Sequence, residues 1–385
     1  MSVEWVWAGA GTETSVWVRG KVTGSSTRLV VSEAEDLSNP VFFGPVSPTS
    51  EGVVSIEATG LEPDTRYWYA LEDDSVIDTA FIGTFRTHPP AGEPASFIVG
   101  AAGDAGLTGT GDDSHITNAV SNHPVFDVMR ARALAEDWLQ FIHLGDLHYR
   151  DISINDPDAY RQAYHDVLTF NGTLGADARQ GRFYRAVPIA YVWDDHDYGP
   201  NNSDRTHVGR AAAATVYREI VPHYPLPAGS GDAPIYQSWQ IGRVLFVASD
   251  VRWARDPNLL PDNDPSTPKT MLGEQQKRWL ERILRNSSAQ ALVWVMPSQW
   301  LSDQGDVRNV GISYSGADYS NDSWWRFRRE RAELVDLLGD LGWLDRMVML
   351  QADKHALSMS SGPNNPWGGF PLFMFASLDA SYSEH

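Results

Sequence analysis

The sequence predicts a layered α/β domain, of the α/β or αββα kind, preceded by a small β-sandwich. Three observations carry this. The first 86 residues are short runs rich in β-branched and aromatic residues, separated by Gly, Pro, Ser and Asp clusters. A proline-rich stretch, Pro89-Pro90-Ala91-Gly92-Glu93-Pro94, then breaks the pattern. Beyond residue 95, runs that are apolar throughout alternate with amphipathic helical ones, as expected of a sheet covered on both faces.

In chain order, Ser15-Val16-Trp17-Val18-Arg19, Arg28-Leu29-Val30-Val31, Val53-Val54-Ser55-Ile56 and Arg66-Tyr67-Trp68-Tyr69-Ala70-Leu71 read as strands. Leu61-Glu62-Pro63-Asp64-Thr65 supplies the turn before the last of these. Six or seven such strands make a sandwich of residues 1–88, leaving 95–385 for the second domain. Helices are predicted over 127–138, 272–284 and 325–338; in the second, Leu272, Trp279, Leu280, Ile283 and Leu284 recur at helical spacing. Residues 256–268 read as a surface loop, and Leu372-Phe373-Met374-Phe375 as a late strand.

Composition narrows the function. The chain of 385 residues has no cysteine, which excludes disulfides, thiolate metal ligands and a cysteine nucleophile. Its 50 acids against 30 bases give a formal charge of −20, so neither a nucleic-acid groove nor an anionic membrane surface is expected as partner. A small phosphorylated substrate fits only where bound cations invert the local field. No apolar run approaches the roughly 18 residues of a membrane span. The opening Met1-Ser2-Val3-Glu4-Trp5 lacks the basic and apolar regions of a secretory signal, which fits a cytoplasmic protein or a leader already removed.

The informative pattern is where the acids sit. Five apolar runs, 97–103, 141–145, 189–193, 244–249 and 347–352, lead into Asp104, Asp146, Asp194-Asp195-His196-Asp197, Asp250 and Asp353-Lys354-His355. Ligand crevices of layered α/β folds lie at the carboxyl ends of strands, so the five ends are expected to converge. Converging carboxylates repel one another and raise one another's pKa values. They make sense either around metal ions or as an exposed acidic rim. Carboxylate, imidazole and amide donors together suit Fe, Mn, Zn, Mg or Ca.

At these residues the sequence resembles the metallophosphoesterase superfamily, and within it the alkaline phosphatase D-like family. Gly103-Asp104 stands in the place of the first motif, and Gly145-Asp146-Leu147-His148-Tyr149 is similar to the family's Gly-Asp-x-x-Tyr. Trp193-Asp194-Asp195-His196-Asp197-Tyr198-Gly199, followed by Asn201-Asn202, is the most specific match. Asp250-Val251-Arg252, with Arg255 nearby, resembles the Asp-x-Arg segment, and Asp353-Lys354-His355 the late Gly-Asp-x-His. The helix beginning Leu272-Gly273-Glu274-Gln275, the Ser323-Trp324 and Glu330-Arg331 segments, and an N-terminal module of fibronectin type are similar too, so the likeness covers nearly the whole chain. One departure is chemical: Ala102 occupies the place where the family often carries a cysteine ligand to iron.

The resemblance implies a fold, an activity and a set of roles. The second domain is expected to be an αββα metallophosphoesterase-like domain with two or more metal ions held by Asp104, Asp146, Tyr149, Asp195, Asn201, Asp353 and His355. A hydroxide between two cations would attack phosphorus in line. His196 would assist the leaving oxygen, and Arg252 and Arg255 would grip non-bridging oxygens. The activity expected is hydrolysis of phosphomonoesters or phosphodiesters, with phosphotriester hydrolysis or a phospholipase D-like reaction as rivals on the same fold. A non-catalytic calcium-binding protein is the rival of a different class. His115, with Asp112 and Asp113, marks a loop near the first motif.

Overall fold

The structure is a computed structural model that describes residues 2–105, 121–169, 178–262, 268–301 and 322–379. The loop carrying Asp112, Asp113 and His115 lies outside them. Eight strands precede the proline-rich stretch: β1 Val3–Gly9, β2 Ser15–Val22, β3 Thr27–Ser32, β4 Val41–Val46, β5 Val53–Thr59, β6 Arg66–Asp73, β7 Val76–Ile77 and β8 Gly83–Arg86. Strand β2 alternates buried and part-exposed side chains, the mark of a sheet wet on one face. β3 is buried along nearly its whole length.

There follow β9 Val99–Ala102, α1 Val125–Ala135, β10 Gln140–His143, α2 Pro157–Thr169, α3 Arg179–Ala186, β11 Ile189–Tyr191, α4 Asp195–Tyr198, α5 Arg210–Ile220, β12 Gln237–Ile241 and β13 Val244–Ala248. The chain then runs through α6 Gly273–Asn286, β14 Ala291–Val295, α7 Arg328–Asp340, β15 Met347–Gln351, β16 Ser358–Ser360 and β17 Leu372–Met374. The three helices expected from periodicity are present with shifted ends. α1 starts right after Pro124 and stops before Asp137, whose φ of 57° no helix accepts. α7 begins at Arg328 because a 3-10 turn, Trp324–Phe327, precedes it.

Two six-stranded sheets dominate, in the orders β5-β2-β1-β11-β10-β9 and β12-β13-β14-β15-β17-β16. β9, β10 and β11 run parallel, as do β13, β14, β15 and β17. Phe141, Ile142, Ile189, Trp239, Ile241 and Phe246 share one buried core, so the sheets pack on each other. Leu245, Val247, Trp294 and Met349 point the other way, onto Trp279, Leu280, Leu334 and Leu338 of α6 and α7. Helices α2 and α3 cover the other sheet, and the result is a mixed α/β fold with paired central sheets.

The N-terminal strands form two layers, β5-β2-β1 against β4-β3-β6-β7 with β8 on β6, closed over Val6, Val18, Leu29, Ile56, Tyr69 and Phe85. The first layer does not end at β1. Gly9 pairs in parallel with Ile189 of β11, so the sheet runs on into the strands that carry the acids. Trp7 Nε1 donates to the Ile220 carbonyl at 3.0 Å, which ties β1 to α5 as well. The proline-rich connection is pinned on both sides: Gly92 N donates to Gly242 O at 2.7 Å and Ala91 N to Glu13 Oε2 at 3.0 Å. Among the described residues no helix is long and apolar enough to cross a membrane.

Candidate metal centre

Asp104, Asp146 and Asp353 sit just past strand ends, and the backbone of the turns there is unusual. Asp104, Asp146, Tyr149, Asp151, Asn202, Asp353 and His355 all have φ between 47° and 79°, and they make up seven of the fourteen non-glycine residues with positive φ among those described. For Asp, Asn and His this left-handed region is tolerable, but for Tyr149 it is costly, and such outliers cluster at functional sites. Gly145 explains one close approach. Its φ is 100°, and a Cβ there would lie 2.5 Å from the Asp194 Cβ, so only glycine lets the ends of β10 and β11 come together. Asp197 holds the next turn, its Oδ1 accepting from Leu147 N at 2.7 Å and His148 N at 3.0 Å.

Among the described residues three groupings result, each with ligand atoms within 4.8 Å of one another: Asp104, Asp146 and His355; Asp146, Asp195 and His196; and Asp194, Asp195 and Asp353. Asp146 belongs to the first and second. Asp104 Oδ2, Asp146 Oδ1 and Asp194 Oδ2 are buried with no hydrogen-bond partner. Burial first, then the neighbouring carboxylates, push Asp104 and Asp146 well above the usual carboxylate range. Buried polar atoms are normally satisfied, so unpaired acids at this density fit a cation-binding centre. A donor set of carboxylates, imidazoles and a phenol, without sulfur, suits hard or borderline cations.

Tyr149 is brought to the centre, its hydroxyl 2.7 Å from His355 Nε2 and its ring 4.4 Å from the His196 ring by centroids. His196 Nδ1 pairs with Asp151 Oδ1 at 2.5 Å. Burial would lower the His196 pKa, but Asp195, Asp151 and Asp194 outweigh it and raise it to about 9. Asp151 escaped the sequence reading, although it stands two residues beyond Tyr149 in the same turn. His148 points away, edge-on to Tyr164.

Other expectations are corrected. Asn201 is an exposed turn residue; its neighbour Asn202 reaches the centre instead, through a backbone N–H 2.5 Å from Asp195 Oδ2. Asp250 does not join the converging acids. Its oxygens accept from Trp193 Nε1, Ile235 N, Arg252 N and Trp253 N at 2.9–3.0 Å, which leaves it a saturated cap behind the site. Arg252 and Arg255 are fully buried and already committed. Arg252 donates to Asp194 and Asp322, Arg255 donates to Asp322, and Arg252 Nη2 lies 3.3 Å from Asp195 Oδ1. They are placed to position acids rather than to grip a substrate. Asp322 is a second residue that sequence reasoning missed, after Asp151; only the adjoining Ser323-Trp324 segment signalled it.

The sequence model of the PhoD-like phosphatase family matches residues 118–370. The chain is 25% identical to alkaline phosphatase D of Bacillus subtilis (strain 168) over 347 residues, covering 80% of this chain and 54% of that protein. It is 31% identical over 106 residues to an acid phosphatase of Aspergillus ficuum, covering 28% of this chain and 15% of that one. The chain thus spans about half the length of the first of these relatives and less of the second. In fold it is similar to a solved structure of PhoD, with TM-score 0.74 and 20% identity over 98% of this chain and 77% of the other. It also resembles a purple acid phosphatase of yellow lupin, with TM-score 0.61 and 14% identity over 98% and 65%.

Proposed function

From the premise that this chain belongs to the PhoD-like phosphatase family, we propose that it is a metal-dependent phosphoesterase acting on phosphomonoesters or phosphodiesters. The observation that carries the proposal is Asp146, a buried carboxylate shared by two ligand groupings and left with an unpartnered oxygen. Its place suits a group bridging two cations. Asp104, Tyr149 and His355 would hold one side, and Asp195 with the neighbouring imidazole of His196 would face the other. Bound there, metal ions of the Fe, Ca, Mn, Zn or Mg type supply charge for the phosphoryl oxygens and a water of lowered pKa.

The chain's own residues do the rest. Asp151 fixes the His196 ring through Nδ1, which leaves the other ring nitrogen for a proton at the leaving oxygen. Tyr149 stacks on that ring and restrains its tilt. Arg252 and Arg255, buried on Asp194 and Asp322, keep the acids from rotating apart. The β-layers of residues 1–88, which we read as a fibronectin-like module, brace the centre from behind through β1 and β11.

The test is turnover of nitrophenyl monoester, diester and triester substrates, with elemental analysis of the same preparation. Hydrolysis of the first or second with bound metal supports the proposal. Cleavage confined to the triester or to a phospholipid would move the substrate class. Bound calcium without turnover of any ester would return the chain to the non-catalytic reading, against which the part-buried His196–Asp151 pair argues.

A further inference from the structure

The three acidic groupings differ in how far the chain neutralises them. Among the described residues, neither Asp104 nor Asp146 forms an ion pair with an arginine or lysine; His355 Nε2 lies 3.9 Å from Asp104 Oδ1. The third grouping is different. Asp194 accepts from Arg252, whose second arm lies 3.3 Å from Asp195, and Lys354 Nζ lies 3.1 Å from Asp353 Oδ2. Asp322 anchors Arg252 and Arg255 from behind. Counting Asp194, Asp195, Asp353 and Asp322 as four negative charges against Arg252, Arg255 and Lys354 as three positive leaves one. Asp104 and Asp146 carry two against no arginine or lysine among the described residues.

The choice of residue sharpens the point. The chain uses arginine for nearly all its basic positions; its lysines are Lys21, Lys269, Lys277 and Lys354. An ammonium is a compact point charge with three donors, whereas a guanidinium is a broad planar fork. A lysine between Asp353 and His355 puts a cation of small footprint on Asp353, the acid of the third grouping that Arg252 does not contact.

We propose that Lys354 is the resident cation of the grouping Asp194, Asp195 and Asp353, and that the chain therefore takes two metal ions rather than three. This rests on the phosphoesterase reading above, in which Asp104, Asp146, Asp195 and His355 would hold metal. Lys354 would act as a specificity-determining residue for metal number, closing one site by charge.

Metal-stripped protein titrated with Mn²⁺ or Ca²⁺ by calorimetry, with elemental analysis after gel filtration, decides it. Wild type should bind two equivalents, and Lys354→Met should bind one more, while Lys354→Arg stays at two. Should Lys354→Met fail to fold, Lys354→Gln removes the same charge and keeps a polar tip. Three equivalents in wild type, or two in both neutral variants, would overturn the inference while leaving the metal-dependent function standing. Fewer than two in wild type would sink the binuclear reading itself, and this inference with it.

Discussion

His143 on β10 offers a direct thermodynamic probe of the scaffold behind the centre. Its side chain is fully buried, edge-on to Phe141, Tyr184 and Tyr191 at centroid distances of 6.0, 6.2 and 5.5 Å. Neither ring nitrogen has a hydrogen-bond partner. Burial alone pushes its pKa down to about 3. In the unfolded chain a histidine titrates at about 6.5. Between those values the unfolded state binds a proton that the folded state refuses, so stability falls as the pH drops below about 6.5 and is unaffected above it. At about pH 5 the gap of roughly 1.5 units corresponds to about 2 kcal/mol. His143→Leu removes the titration and keeps an apolar volume. Urea unfolding of metal-stripped wild type and variant, at about pH 7.5 and about pH 5, should show the difference between them shifting by about 2 kcal/mol in favour of the variant at the lower pH. A difference that stays constant to within about 0.5 kcal/mol would mean that His143 is solvated or paired in the folded state, and the argument from burial would fail.

Asp322→Asn leaves Arg252 and Arg255 without their shared counter-charge and should destabilise the fold by about 3–5 kcal/mol, read by chemical denaturation; a loss under about 1 kcal/mol would show the cluster to be hydrated. His196→Ala should keep the metal count and lower turnover by roughly 10²–10⁴-fold, and Asp151→Asn should lower kcat with little change in KM. Near-normal turnover in His196→Ala would remove the imidazole from the mechanism. Asp146→Asn should lose at least one metal, yet raise the melting temperature of the metal-free protein by relieving repulsion among buried acids. An ordinary turn residue would instead lower the melting temperature with and without metal.

Much of this was legible in the sequence, and the reasons are physical. An apolar run ending in an acid reads the same way before and after folding, so β9, β10, β11 and β15 and their acids were identifiable one by one. Pairing between distant strands was not. The continuity of β1 with β11 depends on Gly9 meeting Ile189, a contact across nearly half the chain that no local periodicity encodes. Side-chain direction was equally hidden. The spacing Asp250-Val251-Arg252 says that an acid and a guanidinium lie close, but not that the turn buries both. Asn201 and Asn202 differ only in which one the left-handed turn, with φ of 61° at Asn202, directs at Asp195.

Two departures from local preference coincide at the strand ends, and their coincidence carries more weight than either alone. A left-handed aspartate or histidine costs little, but a left-handed tyrosine costs on the order of 1–3 kcal/mol. Buried carboxylates without partners cost more, because neither solvent nor side chain screens them. Two packed sheets can carry such a load locally: the strands behind the centre are held by the buried core of Phe141, Ile142, Ile189 and Phe246, and their ends are not free to relax. Selection for stability alone would replace Asp104 or Asp146 with asparagine and Tyr149 with glycine. That the chain keeps acids where, among the described residues, no arginine or lysine meets them, while Arg252 and Lys354 pair with the neighbouring acids, is the reason to look for the missing charge in a ligand.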